Sequence, residues 1–316
     1  NKSNQFQSFM NISLRHLRAF SAVAEAESFT AAARQLFLTQ STLTKTIREL
    51  EQEIGLALFE RTTRKVVLTT QGNAFLPVAR RLLNDFELLL SDLREKSAGS
   101  SGSVYLASGM AFASSVLPEV LKRLRRDYPC IHVRLLDDTS GGVVRRIESG
   151  EVDIGIGSYV GAAGDKLDKR KLLSARLGVM FPPGFEPPAG PLNCQSLRQW
   201  PLLQDESDTS IMSALERSHP ELWQQVASKI TVTNLDMQFC LIRAGVGACV
   251  LSALAASHPS ARDLPYRLFE SAELQRDVHV FTRRGVPLSP AAFTFLQVLD
   301  ETLPAIDFHP GVTLAA

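Results

Sequence analysis

Ser28-Phe29-Thr30-Ala31-Ala32-Ala33-Arg34-Gln35-Leu36-Phe37-Leu38-Thr39-Gln40-Ser41-Thr42-Leu43-Thr44-Lys45-Thr46-Ile47-Arg48-Glu49-Leu50-Glu51 is the stretch whose reading decides the N-terminal fold. Thr30 is read as the N-cap of a short helix, Ala31–Leu36, whose run of three alanines lets another helix approach closely. After Phe37-Leu38, Thr39 or Gln40 opens a further helix that reaches about Glu53. Leu43, Ile47, Leu50 and Ile54 recur there at helical spacing and give one apolar face, and Gly55 stops the helix. Upstream, Ser13 is the expected N-cap of a first helix carrying Leu14, Leu17, Phe20 and Ala24 on one side.

Two helices joined by a short turn, the second amphipathic, form a helix-turn-helix. The outward face of the second helix carries Gln40, Ser41, Thr42, Thr44, Lys45 and Arg48. Short hydrogen-bonding groups near a helix start can meet base edges, and cations further along can meet phosphates. A plain solvated helix face is the alternative. The next segment favours DNA: Leu58-Phe59-Glu60-Arg61 and Val66-Val67-Leu68-Thr69 read as short strands around a polar turn with Arg61, Arg64 and Lys65. Cations on such a wing reach phosphates or the minor groove beside the recognition helix.

From Thr69 or Thr70 a long helix is expected to run to about Lys96. Leu76, Ala79, Leu83, Phe86, Leu90 and Leu93 follow at spacings of three and four, the pattern of a helix pair, and Leu82 and Leu89 widen the seam. A helix of ~25 residues is about 37 Å long and outruns so small a domain, which points to a dimerisation helix. Packing against its own domain is the bland alternative.

The chain then passes through Ser97-Ala98-Gly99-Ser100-Ser101-Gly102-Ser103, which cannot pack a core and reads as a linker. Beyond it, apolar strands alternate with amphipathic helices, as in an α/β sheet. Ser103–Ser108, Ile131–Leu136 and Val152–Gly157 are expected strands, with helices at Val116–Tyr128 and Thr139–Ser149. Further strands are expected at Arg176–Phe181, Leu202–Gln204, Lys229–Val232 and Gly247–Leu251.

Composition bounds the alternatives. Lys and Arg number 34 against 33 Asp and Glu, so no global basicity announces nucleic acid, and a local basic face must suffice. The 45% hydrophobic content over 316 residues supports two or three cores without metal or disulfide staples. Cys130, Cys194, Cys240 and Cys249 show no CxxC pair and read as reduced thiols of a cytosolic protein. The six histidines, His16, His132, His219, His258, His279 and His309, form no cluster, and no metal or cofactor is implied. No stretch reaches the ~18 apolar residues of a membrane helix. Asn1–Phe9 is polar and unlike a signal peptide, so a cytoplasmic location is expected, with Met10 a candidate natural start.

The residues quoted from Ser28 to Gly72 resemble the LysR-type helix-turn-helix, wing and linker helix over about sixty residues without a gap. Two departures stand out: Thr39-Gln40-Ser41 stands where the family usually has Ser-Gln-Pro, and Thr44 where it has Ser. Loss of the proline removes a fixed φ at the first turn but not the polar contacts. The resemblance implies a bacterial regulator of fold class α plus α/β: a winged helix-turn-helix over 10–70, a linker helix over 71–97, and an effector domain over 102–304. That domain is expected to be two-lobed and periplasmic-binding-protein-like, with one lobe at about 102–171 plus 275–304 and the other at about 172–274. Asp137-Asp138, where Glu-Gly is common, departs from the family pattern.

The resemblance also implies that Gln40, Ser41, Thr42, Thr44, Lys45, Arg48, Arg61 and Arg64 face double-stranded promoter DNA. By chemistry Gln40 is the best base reader, since its amide can bridge adenine N6 and N7. The implied assembly is a homodimer or homotetramer, with RNA polymerase a further partner and no membrane contact. A small-molecule effector is expected between the lobes, beyond strand ends and at helix N-termini. The expected positions are Ser108, Gly109, Met110, Ala111 and Phe112 after the first strand; Thr139 and Ser140; Gln204, Asp205 and Glu206; and Val246 and Gly247. Backbone N–H groups and hydroxyls there could bind a carboxylate. Met110 and Phe112 point to an organic effector with an apolar or aromatic body, unless both turn into the core. An enzyme-like α/β domain fused to a DNA-binding head is the alternative function, but GxSxG, P-loop, HExxH and Rossmann glycine patterns are all missing from the sequence.

Overall fold

The computed structural model describes residues 11–61, 66–95, 101–158, 166–185, 192–193, 197, 199–205, 211, 215–216 and 230–315. The chain divides into two compact units, Asn1–Ser97 and Ala98–Ala316.

In the first unit, α1 (Leu14–Ala26) precedes α2 (Phe29–Gln35) and α3 (Gln40–Ile54), followed by strands β1 (Phe59–Arg61) and β2 (Val66–Leu68) and by α4 (Thr70–Glu95). The N-cap of α2 is Ser28, whose Oγ accepts from the Ala31 N–H at 3.3 Å, so Thr30 lies inside the helix and does not cap it. Thr39 Oγ1 accepts from the Thr42 N–H at 3.2 Å and starts α3. Gly55, at φ 75°, ends that helix in the left-handed region that glycine adopts without penalty. β1 and β2 pair antiparallel, Phe59 opposite Leu68.

The core of this unit centres on Phe20, Leu43 and Leu50, all fully buried. Phe20 lies 5.3 Å from Phe59 and 5.2 Å from Phe75, centroid to centroid, so three elements meet on one ring. Ala32 and Ala33 are buried where α2 approaches this core. The expected dimer seam divides here: Ala79 is buried in the unit's own core and Leu76 and Leu83 pack against it. Phe86 is half-buried, Leu82 and Leu90 are exposed, and the side chain of Leu93 lies outside the described residues.

The second unit contains β3 (Gly102–Ser108), α5 (Met110–Ser115), α6 (Leu117–Asp127), β4 (Ile131–Asp137), α7 (Ser140–Glu148), β5 (Ile154–Gly157) and β6 (Leu167–Met180). Then follow β7 (Leu202–Asp205), β8 (Ile230–Val232), α8 (Leu235–Arg243), β9 (Ala248–Ser252), α9 (Ala253–Ala256), β10 (Tyr266–Leu268), β11 (Gln275–Arg283), α10 (Pro290–Thr302) and β12 (Val312–Leu314). The strand order is β4-β3-β5-β11-β6-β9-β7-β8, with β10 and β12 also on β6.

Strand β6 serves both lobes. Its first part, Leu167–Arg176, pairs with β11, and its last part, Leu177–Met180, pairs with β9. The strand expected at Arg176–Phe181 is therefore the end of a 14-residue strand that begins nine residues earlier. Met110–Phe112, expected after the first strand, begin helix α5 there, after Gly109. The chain beyond residue 304 also belongs to the fold: β12 pairs with Leu173–Ala175, and Ile306 and Phe308 pack on the first-lobe core.

Candidate nucleic-acid interface and ligand cleft

Leu43, Ile47 and Leu50 anchor α3 in the core, which fixes the opposite face outward. Gln40, Ser41, Thr44, Lys45 and Arg48 line one shallow concave surface on that face. Gln40, Ser41, Lys45 and Arg48 are exposed and Thr44 is half-buried. Lys45 Nζ lies 3.7 Å from Glu49 Oε1, one helical turn away. Thr42 is not part of the surface: it is half-buried, and its hydroxyl lies 2.8 Å from that of Thr39. A residue missed in the sequence also bears on this face, since the Thr30 hydroxyl donates to Gln40 Oε1 at 3.3 Å. The turn before α3 presents Phe37 at 95% exposure. Arg61 closes β1, but its side chain and all of Arg64 lie outside the described residues.

In the second unit the two lobes enclose a cleft of about 270 Å³. The first lobe contributes Gly109, Met110, Ala111, Phe112, Asp137, Asp138, Thr139, Ser140, Gly157 and Ser158. The second contributes Ile211, Thr233, Leu235, Leu251, Ser252 and Ala255, and β11 adds Arg276 and Val278. Six expected positions thus meet on one wall: Gly109, Met110, Ala111, Phe112, Thr139 and Ser140. Among the described residues, Ser108, Gln204, Val246 and Gly247 do not line the cleft. Ser108 is fully buried with its hydroxyl on the Gly109 carbonyl, and Gln204 is half-buried on β7. Val246 is exposed before β9, and Gly247 packs so close to Pro201 that a Cβ would stand 2.7 Å from its carbonyl oxygen. The Asp205 side chain and Glu206 lie outside the described residues.

Local chemistry fixes the first-lobe wall. Thr139 caps α7, its Oγ1 accepting from the Gly142 N–H at 3.2 Å. Asp138 Oδ1 accepts from the Thr139 N–H at 2.8 Å, and its Oδ2 accepts from Arg146 Nε at 2.7 Å. Arg146 in turn donates to Glu151 Oε1 at 2.6 Å. On the opposite lobe, Asn234 caps α8 by accepting from the Asp236 and Met237 N–H groups, which sets Thr233 and Leu235 at the cleft. Among the described residues, no three His, Cys, Asp or Glu side chains gather where a metal could be held. Among them too, no helix is long and apolar enough to cross a membrane.

Comparison with known proteins fits both units. The family model for the bacterial regulatory helix-turn-helix protein of the lysR family matches residues 14–73, and that for the LysR substrate binding domain matches residues 97–304. The HTH-type transcriptional regulator YbhD of Escherichia coli K12 is 30% identical over 298 residues, covering 92% of each chain. The RuBisCO operon transcriptional regulator of Allochromatium vinosum is 29% identical over 303 residues, 92% of this chain and 97% of that one. Among solved structures, full-length CbnR in complex with its target DNA shares the fold at a TM-score of 0.66 and 21% identity, covering 92% of this chain and 100% of that one. A helix-turn-helix and a two-lobed binding domain, each matched by a model of one family, stand here in that family's order along a single polypeptide. The chain belongs to the LysR family of bacterial transcriptional regulators.

Proposed function

We propose that this regulator binds promoter DNA as a homodimer or homotetramer in the cytoplasm, inserting α3 into the major groove. The observation that carries the proposal is the single exposed face of α3, where Gln40 and Ser41 precede Lys45 by about one turn and Arg48 by about two. Gln40 reads a base edge, while Lys45 and Arg48 hold phosphate. Arg61 and Arg64 add backbone contacts from the wing. Exposed Leu82 and Leu90 on α4 supply apolar surface for pairing two chains.

A small organic effector occupies the interlobe cleft and shifts the population between two assemblies, by binding one of them better than the other. Half-buried Met110 and buried Leu235 and Leu251 on its walls favour a ligand with an apolar body. The altered assembly then engages RNA polymerase differently. Footprinting the DNA upstream of the gene tests the DNA-binding part. Two protected half-sites separated by whole turns of roughly 10 bp, and lost with Arg48→Ala, are expected. Protection without a defined boundary would contradict it.

A further inference from the structure

The first turn of α7 already holds a carboxylate that belongs to the chain. Asp138 is bonded to the Thr139 N–H and to Arg146 Nε. It lies so close over the helix that a Cβ on Gly142 would sit 1.8 Å from its Oδ1. Helix N-termini attract anions because unpaired N–H groups and the helix dipole converge there. Here that attraction is met by Asp138, and a ligand carboxylate arriving at the same turn would face a like charge. Arg276, the other group suited to an anion, lines the cleft from β11, is buried, and makes an interaction within the chain.

Next to Asp138 the cleft presents the opposite preference. Asp137 ends β4 as an exposed carboxylate on the cleft wall. Ser158, just after β5, also lines the cleft at 4% exposure, and among the described residues its Oγ has no hydrogen-bond partner. A buried hydroxyl left without a partner is unfavourable, and a ligand group that bonds to it removes the penalty.

We infer that the effector presents a protonated amine, and not a carboxylate, to the first-lobe wall. The ammonium pairs with Asp137, a polar group of the ligand bonds to Ser158, and the apolar body lies against Met110, Leu235 and Leu251. The inference deepens the proposed effector site and rests on a ligand occupying this cleft. It replaces the carboxylate that α7 alone suggested from the sequence.

A matched pair of probes tests it on the full chain: phenethylamine and 3-phenylpropionate have similar apolar bodies and opposite charge. Phenethylamine is expected to raise Tm by about 3 °C at ten times its Kd, and 3-phenylpropionate to leave Tm unchanged. Asp137→Asn, which keeps the volume and removes the charge, is expected to abolish the shift, and Asp137→Glu to retain part of it. A shift with 3-phenylpropionate as large as with the amine, an amine shift that survives Asp137→Asn, or no shift with either probe would overturn the inference. DNA binding measured on the same preparation separates the two levels. A chain that binds its upstream DNA but ignores the amine defeats this inference alone, whereas a chain that binds no DNA defeats the regulator proposal.

Discussion

The hydroxyl of Thr30 donates to Oε1 of Gln40 at 3.3 Å, tying the first turn of α2 to the first residue of α3. That bond takes one of the two lone pairs of the amide oxygen and orients the amide, leaving the other lone pair and two N–H donors for a base edge. Thr30→Val is therefore expected to lower affinity for the preferred sequence by about 1 kcal/mol, roughly fivefold, with little effect on unrelated DNA. Thr30→Ser should restore most of it. Competition anisotropy separates the cases, and an equal loss on every sequence would mean that Thr30 only supports the fold.

Lys45 and Arg48 stand further along the same helix face, beyond the polar residues of its first turn. Replacing either with Ala is expected to weaken binding to all sequences alike and to reduce the slope of log K against log salt by about 1. Titrations at several salt concentrations read this directly. An unchanged slope would remove that residue from the phosphate contacts.

Gly72 lies in the first turn of α4, where the helix passes against the segment before β1. A Cβ there would stand 2.1 Å from the Leu58 carbonyl oxygen, a backbone atom that cannot swing away. Gly72→Ala is expected to destabilise the DNA-binding unit by about 1–3 kcal/mol, as overpacking does. Urea denaturation followed by circular dichroism checks the magnitude.

Three histidines in the effector unit, His258, His279 and His309, are held below the ordinary imidazole value of 6.5, first of all by burial. His258 Nδ1 accepts the Ser260 N–H at 3.0 Å and His309 Nδ1 accepts the Gly311 N–H at 3.1 Å, bonds that require an unprotonated nitrogen. The unfolded chain takes up these protons near pH 6.5, before the folded chain does. Stability is thus complete above that value and declines as pH falls through the folded-state values. Asp277, although burial opposes it, is held below 3.8 by Lys171 and Ser174, so its contribution is lost only at still lower pH. Thermal melts at stepped pH should show Tm falling below about pH 6.5. A flat profile down to pH 5 would contradict this.

The DNA-binding half was largely legible because its signals are local. Leu43, Ile47 and Leu50 lie within eight residues of one another, and Gly55 and Thr39 mark the helix ends in the sequence itself. Ser28 rather than Thr30 caps α2 because both hydroxyls stand near the helix start and only the backbone decides between them. The start of β6 was hidden by Asp168-Lys169-Arg170-Lys171, which is solvent-exposed and carries none of the apolar alternation of a half-buried strand. The cleft was the least legible part. Ser158, Thr233, Ser252, Arg276 and Val278 lie on or just after four separate strands, β5, β8, β9 and β11, and nothing between them in the chain records that topology brings them together. Asn234, a strong helix cap directly after a strand, was the one local signal that marked the second wall.

The central claim is that α3 reads sequence, and the most direct test is fluorescence anisotropy of the full chain on DNA from upstream of its gene, with unrelated DNA as competitor. Wild type is expected to prefer the upstream DNA well above competitor, and Gln40→Ala to erase about 1–3 kcal/mol of that preference while leaving competitor binding in place. Equal affinity for both DNAs, falling steeply with salt and unchanged by Gln40→Ala, would show phosphate contacts alone and contradict the claim.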